Sequence, residues 1–255
     1  MIVTKLQGGL GNQLFQWAVT KCLSIKYNTE YYFDNCYFSL RKNDDVSKHP
    51  LDLEKIISIN INNDFRLPIV YDNFTYNENI LNNSFLDGYR QSEKYFLDNE
   101  DIIRSELKIN LDTYNYIMNK YPVLNKNTLS IHIRRGDYTK LQHIHPLQTL
   151  EYYEKAYNII DNKSINVIVL SDDIEWCKNN IKFDNITYIE DEINIVDMYI
   201  MSLCKHNIIA NSSFSWWGAW LNENKNKKVI APINWFGPSS TLYTGDIIPE
   251  KWIRI

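Results

Sequence analysis

The chain has little of what would assign it quickly. Its four cysteines, Cys22, Cys36, Cys177 and Cys204, include no C-x-x-C pair and have no histidine at zinc-ligand spacing. That excludes the common zinc and thiol-redox motifs and points to reduced thiols in a cytoplasmic protein. Positive charge is not in surplus: 27 Lys and Arg against 31 Asp and Glu leave a net charge of −4, which argues against a nucleic-acid partner. No apolar run is long enough to form a transmembrane segment. The start, Met1-Ile2-Val3-Thr4, lacks the basic and apolar regions of a signal peptide. Internal repeats and low-complexity linkers are also missing.

What remains is an ordinary globular composition. The 255 residues are 44% apolar and 23% charged, enough for one large α/β domain or two small ones. Residues 1–7 read as a strand, Gln7 to Asn12 as a glycine-rich turn, and Gln13 to Tyr27 as a helix with Phe15, Ala18, Val19, Cys22 and Leu23 on one face. Tyr31 to Phe33 reads as a second strand. Residues 35–125 are polar and carry only short apolar runs, with candidate helices near Ser92–Leu97 and Leu111–Lys120.

From Asn127 the pattern is regular. Strands are expected at Leu129–Ile133, Val167–Leu170, Ile186–Ile189, Asn207–Ala210 and, last, Val229–Ala231. Between them fall helices at Leu150–Ile160, Ile174–Asn180, Ile195–Cys204 and Phe214–Leu221. Such alternation predicts a doubly wound parallel sheet. Two βα-type halves follow, 1–125 and 126–255, divided around Pro122.

Four segments carry candidate chemistry. Gly8-Gly9-Leu10-Gly11-Asn12-Gln13 lies between a strand and a helix, where glycines admit a ligand and the helix start favours an anion. It is neither G-x-G-x-x-G nor a P-loop, and a tight turn with Asn12 capping the helix is the alternative it favours. His132-Ile133-Arg134-Arg135-Gly136-Asp137-Tyr138 closes a buried strand. Alternation puts His132 and Arg134 on one face and Arg135 on the other, free to pair with a carboxylate. Two guanidiniums there need an anionic ligand or a structural Arg–Asp network. Ser171-Asp172-Asp173 follows the next strand, where carboxylates contact ribose or a base, or cap a helix.

The fourth segment is Asp197 with Asn211-Ser212-Ser213-Phe214-Ser215-Trp216-Trp217-Gly218-Ala219-Trp220. Its serines stand before a helix, to hold phosphate or, for Ser213, to act as the N-cap. Trp216, Trp217 and Trp220 read as packing of that helix on the sheet. There is no Asp-x-Asp triplet, so a nucleotide-sugar site built on a divalent cation has no obvious ligand set.

Gly8–Gln16, His132–Tyr138 and Asn211–Ala219 together resemble, in the same order, the signature segments of glycosyltransferase family 11, the α-1,2-fucosyltransferases. The His-x-Arg-Arg segment is also similar to that of α-1,6- and protein O-fucosyltransferases. The resemblance implies a GT-B-like fold, two Rossmann-like halves facing across a cleft, with GDP-sugar binding in 126–255 and the acceptor side in 1–125. It implies GDP-β-L-fucose as donor, a galactose-containing glycan as acceptor, inversion, and no cofactor or metal. It puts Gly9, Gly11 and Asn12 beside the donor pyrophosphate or fucose, and Arg134 on the β-phosphate with His132 near it. It puts Asp172 or Asp173 on the ribose or base side, Asp197 on guanine, and Ser212, Ser213 and Phe214 at the phosphates.

Fucosyl transfer passes through an oxocarbenium-like state while charge builds on the leaving diphosphate, so a fixed guanidinium is needed. Arg134 is the candidate for that role, and His132 and Asp137 are the candidate proton acceptors. A transferase of the same fold using another nucleotide sugar, and a nucleotide-sugar-binding or lectin-like protein without turnover, are the alternatives.

Overall fold

The structure, a computed structural model, describes residues 1–40, 49–160 and 164–255. Residues 41–48, in the polar stretch, and 161–163 lie outside that description. The chain is α/β, as expected, and forms two compact units.

The first unit, Met1–Lys108 with Leu242–Pro249, holds a four-stranded parallel sheet. Its strands are β1 (Ile2–Lys5), β2 (Tyr31–Asp34), β3 (Ile69–Tyr71) and β4 (Ser84–Asp87), in the order β2-β1-β4-β3. The helices are α1 (Leu10–Tyr27), α2 (Cys36–Leu40) and α3 (Glu100–Glu106). Gly8 turns the chain from β1 into α1 at φ +75°, and a Cβ there would lie 2.6 Å from Asn12 Nδ2. Only glycine fits such a turn. Apolar Leu14, Trp17, Ala18 and Val19 of α1 are fully buried. Gln13 and Gln16 of the same helix are buried too, and both are satisfied. Gln13 donates to the Gly8 and Pro50 carbonyls and accepts from the Asp52 and Leu53 amides, all at 2.8–3.0 Å. Gln16 Oε1 accepts from the Gln7 amide at 3.0 Å. The glutamines of the first motif therefore tie its loop to the sheet.

The second unit, Ile109–Thr241 with Glu250–Ile255, holds a six-stranded sheet in the order β10-β9-β8-β5-β6-β7, every pair parallel. In chain order its elements are α4 (Leu111–Lys120), β5 (Thr128–Ile133), α5 (Leu150–Ile160), β6 (Asn166–Ser171), α6 (Ile174–Asn180), β7 (Ile186–Tyr188), α7 (Asn194–Leu203), β8 (His206–Ile208), α8 (Ser213–Leu221), β9 (Val229–Ala231) and β10 (Ile253–Arg254). All six residues of β5 are buried, as in a central strand covered on both faces. Leu129, Ile131, Val167, Val169 and Ile208 join Tyr153 and Ala156 of α5 and Cys177 of α6 in its core.

Several boundaries differ from the sequence reading. The first strand ends at Lys5, and α1 begins at Leu10 because Gly9, not Asn12, is its N-cap and caps through no side chain. The stretch Ser92–Leu97 forms 3-10 turns instead of an α-helix. Strands β3 and β4 and helix α3 were not anticipated, and β10, not β9, is the last strand. The units divide between Lys108 and Ile109, not at 125/126. Residues 109–125 join the second unit because Tyr116, Lys120 and Tyr121 converge on the Glu192 carboxylate at 2.6–3.2 Å. Leu242–Pro249 returns to the first unit, where Asp246 accepts from the Tyr76 amide at 2.8 Å and pairs with Lys94.

Candidate functional site

The order of the second sheet sets where a ligand belongs. The chain runs from β5 outward through β6 to β7, then switches to β8 on the other side of β5. Where the order reverses, the connections leave in opposite directions and open a crevice at the carboxyl ends of the strands. The residues after β5 and β8 are the second and fourth motifs.

Arg134 stands at this switch point. Its Nη2 donates to Asp137 Oδ1 at 2.6 Å, its Nη1 meets Asp172 Oδ2 at 2.9 Å, and its guanidinium lies 5.3 Å from the centre of the Tyr138 ring. Burial opposes its charge, but Asp172 and Asp137 outweigh that and raise its pKa. The pairing leaves three of the five guanidinium N–H groups without a carboxylate. Arg135 turns to the α6 side, as alternation requires. Its Nε donates to Asp173 Oδ2 at 2.9 Å and its guanidinium lies 3.9 Å from the Trp176 ring centre. The Arg–Asp network of this segment exists, and it presents one arginine at the crevice.

The two aspartates divide their work. Asp173 is the N-cap of α6, accepting from the Trp176 amide at 3.3 Å. Asp172 accepts from the Arg135 amide at 2.8 Å as well as from Arg134. With both oxygens engaged, Asp172 holds the arginine loop in place. Gly136 passes directly over it; a Cβ there would lie 2.4 Å from Asp172 Oδ2.

His132 is 5% exposed, its ring 5.5 Å from that of Phe214, and its Nδ1 has no partner among the described residues. Burial, helped by the Arg134 charge, lowers its pKa to about 3. It is therefore neutral at physiological pH. On the β8 side, Ser212, not Ser213, is the N-cap of α8, and its side chain makes no cap bond. The first N–H groups of a nine-residue helix start here, beside the loop that carries Arg134.

Tyr138 and Asn211, to which the sequence assigns no role, join the two loops. The Tyr138 hydroxyl donates to the Asn211 carbonyl at 3.1 Å. Asn211 Nδ2 donates to the Pro146 and Trp235 carbonyls, and its Oδ1 accepts from Gln148. Both residues end or begin a motif, which was the available signal. Trp216, Trp217 and Trp220 are buried against one another and Trp252. Gly218 lets α8 approach Met201 of α7 closely.

Asp197 is in the first turn of α7, with Oδ1 buried and without a partner among the described residues. Burial, with a contribution from the Glu192 charge, raises its pKa to about 7. Gly9, Gly11 and Asn12 belong to the first unit. Gly9 and Gly11 open α1, and Asn12 Oδ1 accepts from Gln91 Nε2 at 2.7 Å. A cavity of about 470 Å³ lies at the same sheet edge, lined by Lys5, Gln7, Asp34 and Asp87 among others. Among the described residues no group of three or more His, Cys, Asp or Glu side chains is placed to hold a metal ion. No helix of the described residues is long and apolar enough to cross a membrane.

The chain is similar to known proteins in sequence and in fold. The α-1,2-colitosyltransferase of Escherichia coli is 34% identical, over 100% of this chain and 99% of the relative. The O-antigen biosynthesis glycosyltransferase WbnK of Escherichia coli is 31% identical, over 98% and 99%. Among solved structures, the NodZ α-1,6-fucosyltransferase soaked with GDP-fucose superposes with a TM-score of 0.52 at 17% identity, over 86% of this chain and 92% of NodZ. The Escherichia coli ADP-heptose heptosyltransferase II gives 0.51 at 14% identity, over 100% and 89%. These two establish the likeness of fold. The family model described as glycosyl transferase family 11 matches residues 1–255, and the chain belongs to that family.

Proposed function

We propose that the chain transfers L-fucose from GDP-β-L-fucose to a galactoside hydroxyl, forming an α-1,2 linkage with inversion and without a metal ion. The observation that carries this reading is Arg134, held by two carboxylates at the β5/β8 switch point beside the start of α8.

In the reaction the bond from the anomeric carbon to the β-phosphate oxygen breaks, and the electron pair leaves with GDP. The acceptor oxygen attacks the opposite face of the sugar, and its proton passes to solvent water as the new bond forms. Negative charge grows on the diphosphate, and the remaining N–H groups of Arg134 are the fixed donors that meet it. The N–H groups at the start of α8 add a second positive end, with Ser212, Ser213 and Phe214 forming the turn around the phosphates. Asp137 and Asp172 fix the guanidinium plane in advance, so little reorganisation is needed as charge develops. Asp137 is committed to Arg134, and His132 is buried and weakly basic. Both therefore act on the donor side, and a loose transition state asks little of a base. Asp197 supplies the carboxylate for a purine base, and Asp173 lines the ribose side.

A second donor is favoured by one observation, the colitosyltransferase relative at 34% identity. Colitose is fucose without its 3-hydroxyl, so the same phosphate machinery serves both sugars. The test is turnover of GDP-fucose, GDP-colitose, UDP-sugars and dTDP-sugars against a galactoside panel, with and without EDTA. Turnover confined to GDP-linked 6-deoxy sugars and indifferent to EDTA supports the proposal. Turnover of UDP- or dTDP-sugars alone, or abolished by EDTA, removes it.

A further inference from the structure

One side chain of the first unit has only part of the hydrogen-bonding set its chemistry requires. Arg90, just beyond β4, is 2% exposed. Its Nη2 donates to the Val70 carbonyl at 2.5 Å and its guanidinium also meets the Tyr95 hydroxyl, while its Nε is buried without a partner among the described residues. No carboxylate forms an ion pair with it among the described residues. The nearby Asp72 spends both oxygens on backbone amides, those of Phe74, Tyr89 and Arg90 at 2.6–3.0 Å. A buried guanidinium in that condition is costly unless another group completes its hydrogen bonds.

The space for such a group is present. Arg90 lines a cavity of about 310 Å³ with Tyr71, Asn73, Thr75, Tyr76 and Asn77. That is the size of a small-ligand pocket, about 300–1,000 Å³. Arg90 in the wall is held in an uncommon backbone conformation, φ 50°, as is Phe74 between the lining residues Asn73 and Thr75, φ 61°. Such strain persists where surrounding contacts over-determine it, and it concentrates at binding sites. The segment carrying Arg90 also reaches the glycine-rich loop, since Gln91 donates to Asn12 at 2.7 Å. The lining suits a sugar ring. A planar multiple donor and two side-chain amides meet hydroxyls, and the faces of Tyr71 and Tyr76 meet the apolar C–H side.

We propose that this cavity is a saccharide subsite that takes one sugar ring of the acceptor glycan. Arg90 donates to the ring's oxygens, and Tyr71, which is 71% exposed, covers its apolar face. The inference rests on the reading of the chain as a galactoside-modifying transferase.

The test uses Tyr71→Ala, at an exposed position, and Arg90→Lys, with lactose as acceptor and GDP-fucose as donor. Each substitution is expected to raise the KM for lactose about tenfold while the KM for GDP-fucose moves less than twofold. An unchanged lactose KM, or an equal rise in both constants, overturns the proposal. Saturation-transfer NMR of lactose on the donor-free protein gives a second readout that does not depend on the donor. A lactose signal lost in Tyr71→Ala supports the subsite, and one retained there, or absent from the wild type, overturns it. Failure of the donor reading instead shows as no GDP-fucose turnover with that lactose signal intact in the wild type and lost in Tyr71→Ala.

Discussion

Replacing Arg134 by alanine removes the one guanidinium that the second unit presents at its switch point. The loss has two parts. The first is a preorganised charged donor to the departing diphosphate, worth about 3–4 kcal/mol, or about 10²–10³ in kcat. The second is electrostatic. Arg134 and Arg135 stand against Asp137, Asp172 and Asp173, so the cluster carries one net negative charge and the substitution makes it two. The freed Asp137 and Asp172, about a quarter exposed, then repel the donor, and the KM for the GDP-sugar rises as kcat falls. Arg134→Lys keeps the charge but not the fork. It is expected to fall between the two, about 10-fold to 100-fold below wild type. Steady-state kinetics against a GDP-sugar, with a thermal melt to establish folding, gives the answer. A folded Arg134→Ala enzyme with kcat within about threefold of wild type refutes the assignment, since the charged-donor magnitude leaves no room for it.

Other consequences are equally direct. Gly136→Ala forces Asp172 aside, because the new Cβ lies 2.4 Å from its Oδ2; kcat is expected to drop at least about tenfold with little change in melting temperature, and full activity would contradict the bracing role. Asp197 has a folded pKa raised from 3.8 to about 7, so its contribution to stability is fully present below pH 3.8 and is lost as pH rises through 7. The wild-type melting temperature should fall from pH 4 to pH 8 by more than that of Asp197→Asn, and equal slopes would contradict this. If Asp197 takes the guanine N–H groups, GDP binding strengthens through pH 7 with release of a proton, measurable by calorimetry in buffers of different ionisation enthalpy. Gln13→Leu abandons four hydrogen bonds inside the first unit and is expected to cost about 3 kcal/mol in urea unfolding, whereas a loss below about 1 kcal/mol would show that the clamp is not structural.

The second unit was legible because its central strands are buried on both faces and alternate with amphipathic helices. Helices at 111–120, 150–160 and 174–180 stand where the pattern put them. The first unit hid more. Ile69–Tyr71 is a three-residue edge strand with both ends exposed, so it has no apolar run to announce it. Ser84–Asp87 alternates over only four residues. At the site, the separation of Arg134 from Arg135 followed from strand alternation alone. Their partners did not, since Asp172 and Asp173 each lie 38 residues beyond the arginine they pair with and meet it only through the β5–β6 pairing. The cap positions failed for a local reason: at both α1 and α8 the N-cap residue makes no side-chain bond, leaving the helix start open. Arg90 carried no motif, and only its burial with Nε unpartnered among the described residues marks it.

The central claim is that this family 11 chain uses its Arg134 site to move a GDP-linked 6-deoxy sugar onto galactose. Incubation of the full chain with GDP-fucose and lactose in EDTA, followed by NMR of the product, tests it most directly. The account predicts release of GDP and a fucosyl galactoside with an α-1,2 linkage. A β linkage, or product formed only from UDP- or dTDP-sugars, would contradict it.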